Sequence, residues 1–303
     1  MCMIKIAFIG AGKMAEAMIA PLKRPGPHFP VVPTIMIREI SPKVTNQVLT
    51  AYPGVQNSLD YDDCVHNAEV VVVAVKPQNL EEVFEQLKPA IAASPKEPII
   101  VSICAGAPMS SFVLGCGTEK IVRSMPNTPA TIEQGVTVWT TNSRAMFTES
   151  EIEITRHLLG CLGMEVRVDD EKFIDMATSI TGSGPAYVFV MVEAMVDTAV
   201  HMGFSRDIAT TLVLQTILGS TQYAMATKEH PAILKNSVTS PAGTTASAMY
   251  TLEKGQFKTV ISDAIWSCYR RSLEMGGQCS NVGPGRIRPS PMAPRGEFPD
   301  MPQ

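Results

Sequence analysis

The sequence lacks most of the features that would take its function away from small-molecule chemistry. Its seven cysteines are odd in number and scattered from Cys2 to Cys279, with no CxxC pair. That excludes a disulfide framework and a zinc ribbon and fits reduced thiols. The histidines (His28, His66, His157, His201 and His230) are equally dispersed, so no metal-ligand spacing occurs and no metal is expected. No block of like charges appears. The net charge of -4 argues against nucleic acid or an anionic membrane surface as partner. No apolar run approaches the ~18–20 residues of a membrane span. The opening MCMIKIAFIGAG is too short, and too soon broken by glycine, for a secretory segment, so the cytoplasm is the expected location. No internal repeat is visible.

What is present is a chain of 303 residues, 45% hydrophobic and 18% charged, with enough apolar material for large cores in about two domains. Ile4 to Ile9 (IKIAFI) reads as a buried strand. Gly10-Ala11-Gly12-Lys13-Met14-Ala15 follows at once and opens a helix through Met18 and Ile19. This is GxGxxA between strand and helix. Gly10 permits the tight turn, Gly12 lets the backbone approach a pyrophosphate, and Ala15 allows close helix–strand packing. The pyrophosphate would rest on the helix N-terminus.

Thr34 to Ile37 reads as the second strand. An acidic side chain at its end would bind a ribose 2′-OH and repel a 2′-phosphate; a basic one would welcome that phosphate. Here Arg38 and Glu39 stand side by side, so the choice between NADH and NADPH stays open, and a solvated ion pair is an equal alternative for either residue. Glu69 to Val75 (EVVVVAV) suits a parallel strand covered on both faces, stopped by Lys76-Pro77. A helix from Asn79 to Ala92 and a strand from Ile99 to Ile103 lead into Cys104-Ala105-Gly106. These small residues at a strand end would let a flat nicotinamide ring lie close to the backbone; the plainer alternative is a turn. Another strand begins at Ile121. Met125 to Ala130 (MPNTPA) is a rigid turn in which Asn127 and Thr128 can offer hydrogen bonds. Gly135 to Thr140 continues the sheet, Thr148 and Glu151 form a capping box, and Glu165 to Val168 is the last strand. Alternating strands and helices give a doubly wound α/β dinucleotide-binding domain over residues 1–170.

From Lys172 to about Gly276 only helices are expected, giving a second domain over residues 171–276. Pro185 sits in the first turn of one helix and Gly203 closes it; Ser205 caps the next, Arg206 to about Thr227. The abundant methionines suit a core or a subunit interface. Within Leu234 to Gly255 (LKNSVTSPAGTTASAMYTLEKG), Ser240-Pro241 is a turn signal and Ala242-Gly243 keeps the backbone slim. Thr244 and Thr245 start a helix, with Gly255 as its left-handed stop. A slim turn feeding a helix N-terminus can hold a carboxylate or phosphate, or can be a capped helix and no more. Residues 277–303, rich in Pro, Gly and Arg, are expected to be a disordered tail, with Arg286, Arg288 and Arg295 solvated.

FIGAGKMAEAMI, AVKP, MPNTPA, TGSGPAYVF and the LKNSVTSPAGTTASAMYTLEKG stretch stand in this order across about residues 3–275. In that arrangement the chain resembles the Δ1-pyrroline-5-carboxylate reductase family. The last stretch is the most specific; the first is shared by many nucleotide-binding proteins. The resemblance implies a Rossmann domain joined to an all-helical dimerisation domain. It also implies reduction of 1-pyrroline-5-carboxylate to L-proline by NADPH or NADH, with homodimers that in the family often assemble further into rings and an active site shared between subunits. It places Ala11, Lys13 and Met14 at the pyrophosphate, Ala74, Val75, Lys76 and Pro77 in a second cofactor loop, and Ala105, after Cys104, beside the nicotinamide. Gly10, Gly12, Arg38, Glu39 and Asn127 complete the expected cofactor side. Glu171 and Ser240 are expected near the substrate, Thr244 and Thr245 at its carboxylate, and the Thr245 hydroxyl at the ring nitrogen as the catalytic group. Departures are Glu39 where many members carry a residue that accepts a 2′-phosphate, Tyr61 where several have asparagine, Ala242 where glycine is commoner, and Ser237 where some have asparagine. No strong general acid is expected, since a protonated imine is already electrophilic and orientation carries most of the catalysis.

Overall fold

A computed structural model describes residues 4–285. Its first part is a sheet of β1 (Lys5–Ile9), β2 (Thr34–Arg38), β3 (Val55–Asn57), β4 (Val70–Val73), β5 (Ile99–Ser102), β6 (Ile121–Met125), β7 (Gly135–Thr141) and β8 (Gly163–Arg167). The strand order is 3-2-1-4-5-6-7-8. Helices α1 (Lys13–Leu22), α2 (Pro42–Ala51), α3 (Tyr61–Val65), α4 (Leu80–Ala93), α5 (Met109–Cys116), α6 (Glu149–Gly160) and α7 (Lys172–Ala177) pack around it. Alternate residues of β1 face opposite cores. Ile6 and Phe8 pack with Met18, Trp139 and Leu158, while Ala7 and Ile9 pack with Leu87, Ile100 and Phe112. Both faces are therefore dry, which is why the inner strands are continuous apolar runs.

The first six strands are parallel, but β7 runs antiparallel to β6, and β8 is parallel to β7. The doubly wound alternation is thus broken once. Only a proline-stiffened segment with a short 3-10 turn, Thr128–Ile132, separates β6 from β7, too little for the crossover helix a parallel neighbour needs. The capping box at Thr148 and Glu151 is present. Not foreseen were α2, β3, α5 and a π-helical turn, Thr178–Gly182, after α7.

The chain forms two compact units. One comprises the residues up to Gly182 and those from Trp266 onward, the other Ser183–Ile265. Ile174 and Ala177 of α7 pack on Val138, Met125 and Val168 of the sheet layer, so the first unit runs past the division expected at 170/171. The second unit holds α8 (Gly184–His201), α9 (Arg206–Thr227), α10 (Pro231–Ser237), α11 (Thr244–Lys254) and the start of α12 (Phe257–Met275). Helices α8 and α9 form a hairpin around Val196, Ala209 and Val213, turned at Gly203 with φ +109°. Gly255 is not the expected left-handed stop. Its φ is −76°, and the left-handed residue is the next one, Gln256, at φ +56°.

Large apolar side chains of α8 and α9, among them Phe189, Val190, Leu218 and Met225, are exposed in the single chain. Contrary to the sequence reading, the continuous helical stretch 172–201 is long and apolar enough, by length and composition, to cross a bilayer. Residues 277–285, expected to belong to a disordered tail, are instead held against the fold. Gln278 N–H donates to Leu273 O (2.8 Å), and Gly283 lies so close to the Trp266 ring that a Cβ would meet it at 2.5 Å. Glycine there lets the chain press on an aromatic face. The rest of the expected tail, with Arg286, Arg288 and Arg295, lies outside the described residues.

Candidate active site

Register brings the expected cofactor loops together. Ile9 pairs with both Arg38 and Val73, and Val73 with Ser102. The loops after β1, β2, β4 and β5 therefore leave the same edge of the sheet, where the strand order reverses between β1 and β4. Gly10 is at φ +89°, and a Cβ there would stand 3.0 Å from Ala74 O; only glycine fits the turn between these loops. Gly10, Gly12, Arg38, Glu39, Ala74, Val75 and Lys76 line one cleft of about 480 Å³, with Ser41, Tyr61 and Asn79. Pro77 opens the short 3-10 turn Pro77–Asn79 at its margin. Gly12, the N-cap of α1, offers no side-chain cap, so the first-turn N–H groups at Lys13 and Met14 are left for an anion. A bare helix N-terminus, a Cβ-free turn and a cleft of this size fit a dinucleotide.

Glu39 does not point to solvent. Its Oε2 accepts from Ala11 N–H (2.8 Å) and its Oε1 from Ser41 N–H (2.8 Å). The carboxylate thus ties the glycine loop to the N-cap of α2, and the N–H of Ala11, expected at the pyrophosphate, is given to Glu39 instead. Arg38 lies 5.6 Å over the Tyr61 ring and donates Nη1 to Glu39 O (3.3 Å). Burial first, and the Glu82 and Cys64 charges to a smaller degree, raise the Tyr61 phenol above its ordinary value against the opposing pull of Arg38.

In the loop after β5, which does not line this cleft, Ala105 is half-buried and Cys104 buried. The Cys104 thiol donates to Val75 O (3.2 Å), and burial pushes its pKa up to about 11. It clamps the second cofactor loop to the third and is no nucleophile. The Asn127 amide is also committed within the fold: Nδ2 donates to Thr181 O (3.1 Å), and Oδ1 accepts from Val136 N–H (2.9 Å). Glu171, expected beside the substrate, directs Oε1 to Met109 N–H (2.7 Å) and Arg123 Nη1 (2.7 Å). Sequence reasoning passed over Arg123 and its second partner Asp175, both 1% exposed. The available signal was an arginine inside a buried strand, IVRSM, which must find a buried counter-charge.

In the helical unit, Gly243 N–H donates to Ser240 O (3.1 Å). Pro241 and a left-handed Ala242 (φ +57°) fill the middle of this turn, the pattern of a type II turn. A Cβ on Gly243 would meet Ser240 Oγ at 2.4 Å and Ser240 O at 3.1 Å, so a larger residue where the turn enters α11 would have to displace the Ser240 side chain. Gly243 is the N-cap without a side-chain bond, leaving exposed Thr244 and half-buried Thr245 to present N–H groups and hydroxyls together. This is an anion-binding geometry with two neutral hydrogen-bonding side chains and no titratable group on the turn.

A switch-point dinucleotide cleft and a helical unit with an uncapped helix N-terminus fit an oxidoreductase of the Rossmann class. Residues 171–275 match the family described as pyrroline-5-carboxylate reductase dimerisation, and residues 5–106 match NADP oxidoreductase coenzyme F420-dependent. The chain is 37% identical to pyrroline-5-carboxylate reductase of Pseudomonas aeruginosa over 90% of its length and 97% of the relative's. It is 36% identical to that of Pisum sativum over 89% and 95%. The crystal structure of Plasmodium falciparum pyrroline carboxylate reductase with NADP bound superposes with a TM-score of 0.79 at 28% identity, covering 90% of this chain and 98% of that one. The chain belongs to the pyrroline-5-carboxylate reductase family.

Proposed function

We propose that the chain reduces the C=N bond of 1-pyrroline-5-carboxylate to give L-proline, using NADH or NADPH. The observation that carries this reading is the uncapped Thr244-Thr245 turn, an anion site with no acid or base, on a chain that also holds a dinucleotide cleft. Bound in that cleft, a reduced dinucleotide supplies a hydride. Lys13 and Met14 N–H groups hold its pyrophosphate, and Ala105 leaves room for the nicotinamide. Thr244 and Thr245 N–H groups hold the substrate carboxylate. The Thr245 hydroxyl orients the imine nitrogen and then accepts a hydrogen bond from the product amine. An alcohol dehydrogenation would need a group to shuttle the hydroxyl proton; an imine that arrives protonated does not.

The exposed apolar faces of α8 and α9 support homodimerisation through the helical unit. The match of this segment to a dimerisation family favours that reading over a membrane span. Further assembly into rings of dimers and a cytoplasmic location belong to the same proposal. The test is a mixture of the full chain, NADH or NADPH, and 1-pyrroline-5-carboxylate, followed by absorbance of the reduced dinucleotide. Imine-dependent oxidation with stoichiometric proline supports the proposal; no oxidation with either dinucleotide ends it.

A further inference from the structure

The buried guanidinium of Arg123 on β6 has to be neutralised and hydrogen-bonded. Nη1 donates to Glu171 Oε1 (2.7 Å) and Asp175 Oδ2 (3.1 Å), and Nη2 to Asp175 Oδ1 (2.8 Å). Each carboxylate has a second attachment. Glu171 Oε1 takes the N–H of Met109, the first residue of α5, where the N-cap Pro108 supplies no side-chain bond. Asp175 accepts from Ser272 Oγ (2.8 Å) on α12 and from Gln278 Nε2 (3.4 Å) just beyond it. The end of α12 lies directly on the loop after β5. A Cβ on Gly106 would come within 2.9 Å of Met275 Cβ, and one on Gly276 within 2.7 Å of Gly106 O. The loop 104–109 is therefore held at Cys104 by Val75, at Gly106 by the end of α12, and at Met109 by Glu171. The last two attachments converge on Arg123.

We propose that the Arg123–Glu171–Asp175 cluster is a positioning element for the reaction. It fixes the loop from Cys104 to Met109 against which the nicotinamide ring rests, so that Glu171 acts on turnover through Met109 and not by touching substrate. This rests on the reading that Ala105 faces the nicotinamide. It reassigns Glu171 from the substrate-contacting place that the family resemblance implies.

The test compares Glu171→Ala, which loses both bonds, with Glu171→Gln, whose amide oxygen still accepts from Met109 N–H. In the cofactor-free protein, Glu171→Ala should speed hydrogen exchange of the 105–110 amides by roughly tenfold or more, with β1 and β4 unchanged and Glu171→Gln intermediate. In turnover, Glu171→Ala should lower kcat by between about tenfold and a hundredfold. The KM for the imine and the dinucleotide Kd from fluorescence titration should stay within about threefold of the parent, since the main anchors, the pyrophosphate at Lys13 and Met14 and the substrate carboxylate at Thr244 and Thr245, lie off this loop. Glu171→Gln should recover much of kcat. A raised KM with kcat retained would make Glu171 a substrate contact and overturn the proposal, as would unchanged exchange in the loop, or a loosened loop with unchanged kcat. Failure of the parent chain to reduce the imine would instead remove the proposed function, while loop exchange and dinucleotide binding would still judge the fastening.

Discussion

Glu39→Gln is the substitution that isolates the dinucleotide preference. In the parent, one carboxylate receives the N–H groups of both Ala11 and Ser41, so neither is left for a 2′-phosphate, and the rim of the cleft carries a negative charge. Arg38, the nearest positive group, is drawn back over Tyr61. The parent should therefore favour NADH. Glutamine keeps one acceptor and loses the charge, so one of the two N–H groups is orphaned. That loss costs about 1–3 kcal/mol when buried, less at this part-open rim, and weighs on both dinucleotides alike. The ratio of kcat/KM for NADPH to that for NADH cancels it. What survives in the ratio is repulsion between the carboxylate and the 2′-phosphate. Two unit charges about 4 Å apart repel by about 1 kcal/mol in water and about 4 kcal/mol at protein-surface dielectric. A solvent-facing cleft belongs in the lower part of that range, about 1–3 kcal/mol, or roughly fivefold to a hundredfold in the ratio. The assay is initial rates with each dinucleotide at saturating imine, backed by fluorescence titration without substrate. The ratio should move toward NADPH by that factor. An unchanged ratio, or a parent chain that already prefers NADPH, would refute the reasoning.

Three further outcomes are expected. Thr245→Ala should cut kcat by about tenfold to a hundredfold, the order of a lost transition-state hydrogen bond, with dinucleotide Kd unchanged; unaltered kcat in steady-state assays would remove Thr245 from the chemistry. Ala242 sits at φ +57°, which costs an L-residue roughly 1–2 kcal/mol, whereas glycine there costs about 0.4–1 kcal/mol through the unfolded chain. Ala242→Gly should therefore leave denaturant stability equal or raise it by up to about 1 kcal/mol, and a loss larger than about 1 kcal/mol would contradict the strained turn. Burial disfavours thiolates and raises Cys104 to about 11 and Cys64 and Cys116 to about 12. With folding intact, these thiols should resist alkylation near neutral pH and gain reactivity only as pH climbs toward those values, while exposed Cys279 reacts at once. Rapid labelling of Cys104 at neutral pH by peptide mapping would contradict its burial.

The cofactor side was legible because it is local. Strands buried on both faces show as apolar runs, and each of the three loops follows such a run directly. The capping box at Thr148 and the cap of α9 are likewise short-range, and Pro185 and Gly203 mark α8 without any tertiary knowledge. Other elements gave weaker signals. β3 is three residues long with only Val55 buried. α5 starts behind a proline and carries little polar-to-apolar contrast along MSSFVLGC. The reversal of β7 depends on how far the 126–134 segment can reach, which no periodicity states. Long-range partners escaped altogether. Glu39 faces a backbone N–H 28 positions earlier, and Asp175 receives Ser272 from 97 positions later. Gly255 shows the opposite failure: glycine was the natural residue for a left-handed stop, yet the chain places Gln256 there.

The central claim is that this chain delivers a hydride from a reduced nicotinamide to the imine carbon of 1-pyrroline-5-carboxylate held at Thr244 and Thr245. Its most direct test uses NADH deuterated at nicotinamide C4 and reads the product by mass spectrometry and NMR. The account predicts L-proline carrying deuterium at C5 when the transferred position is labelled, in amount equal to the dinucleotide oxidised. Oxidation without deuterated proline, or no imine-dependent oxidation at all, would contradict it.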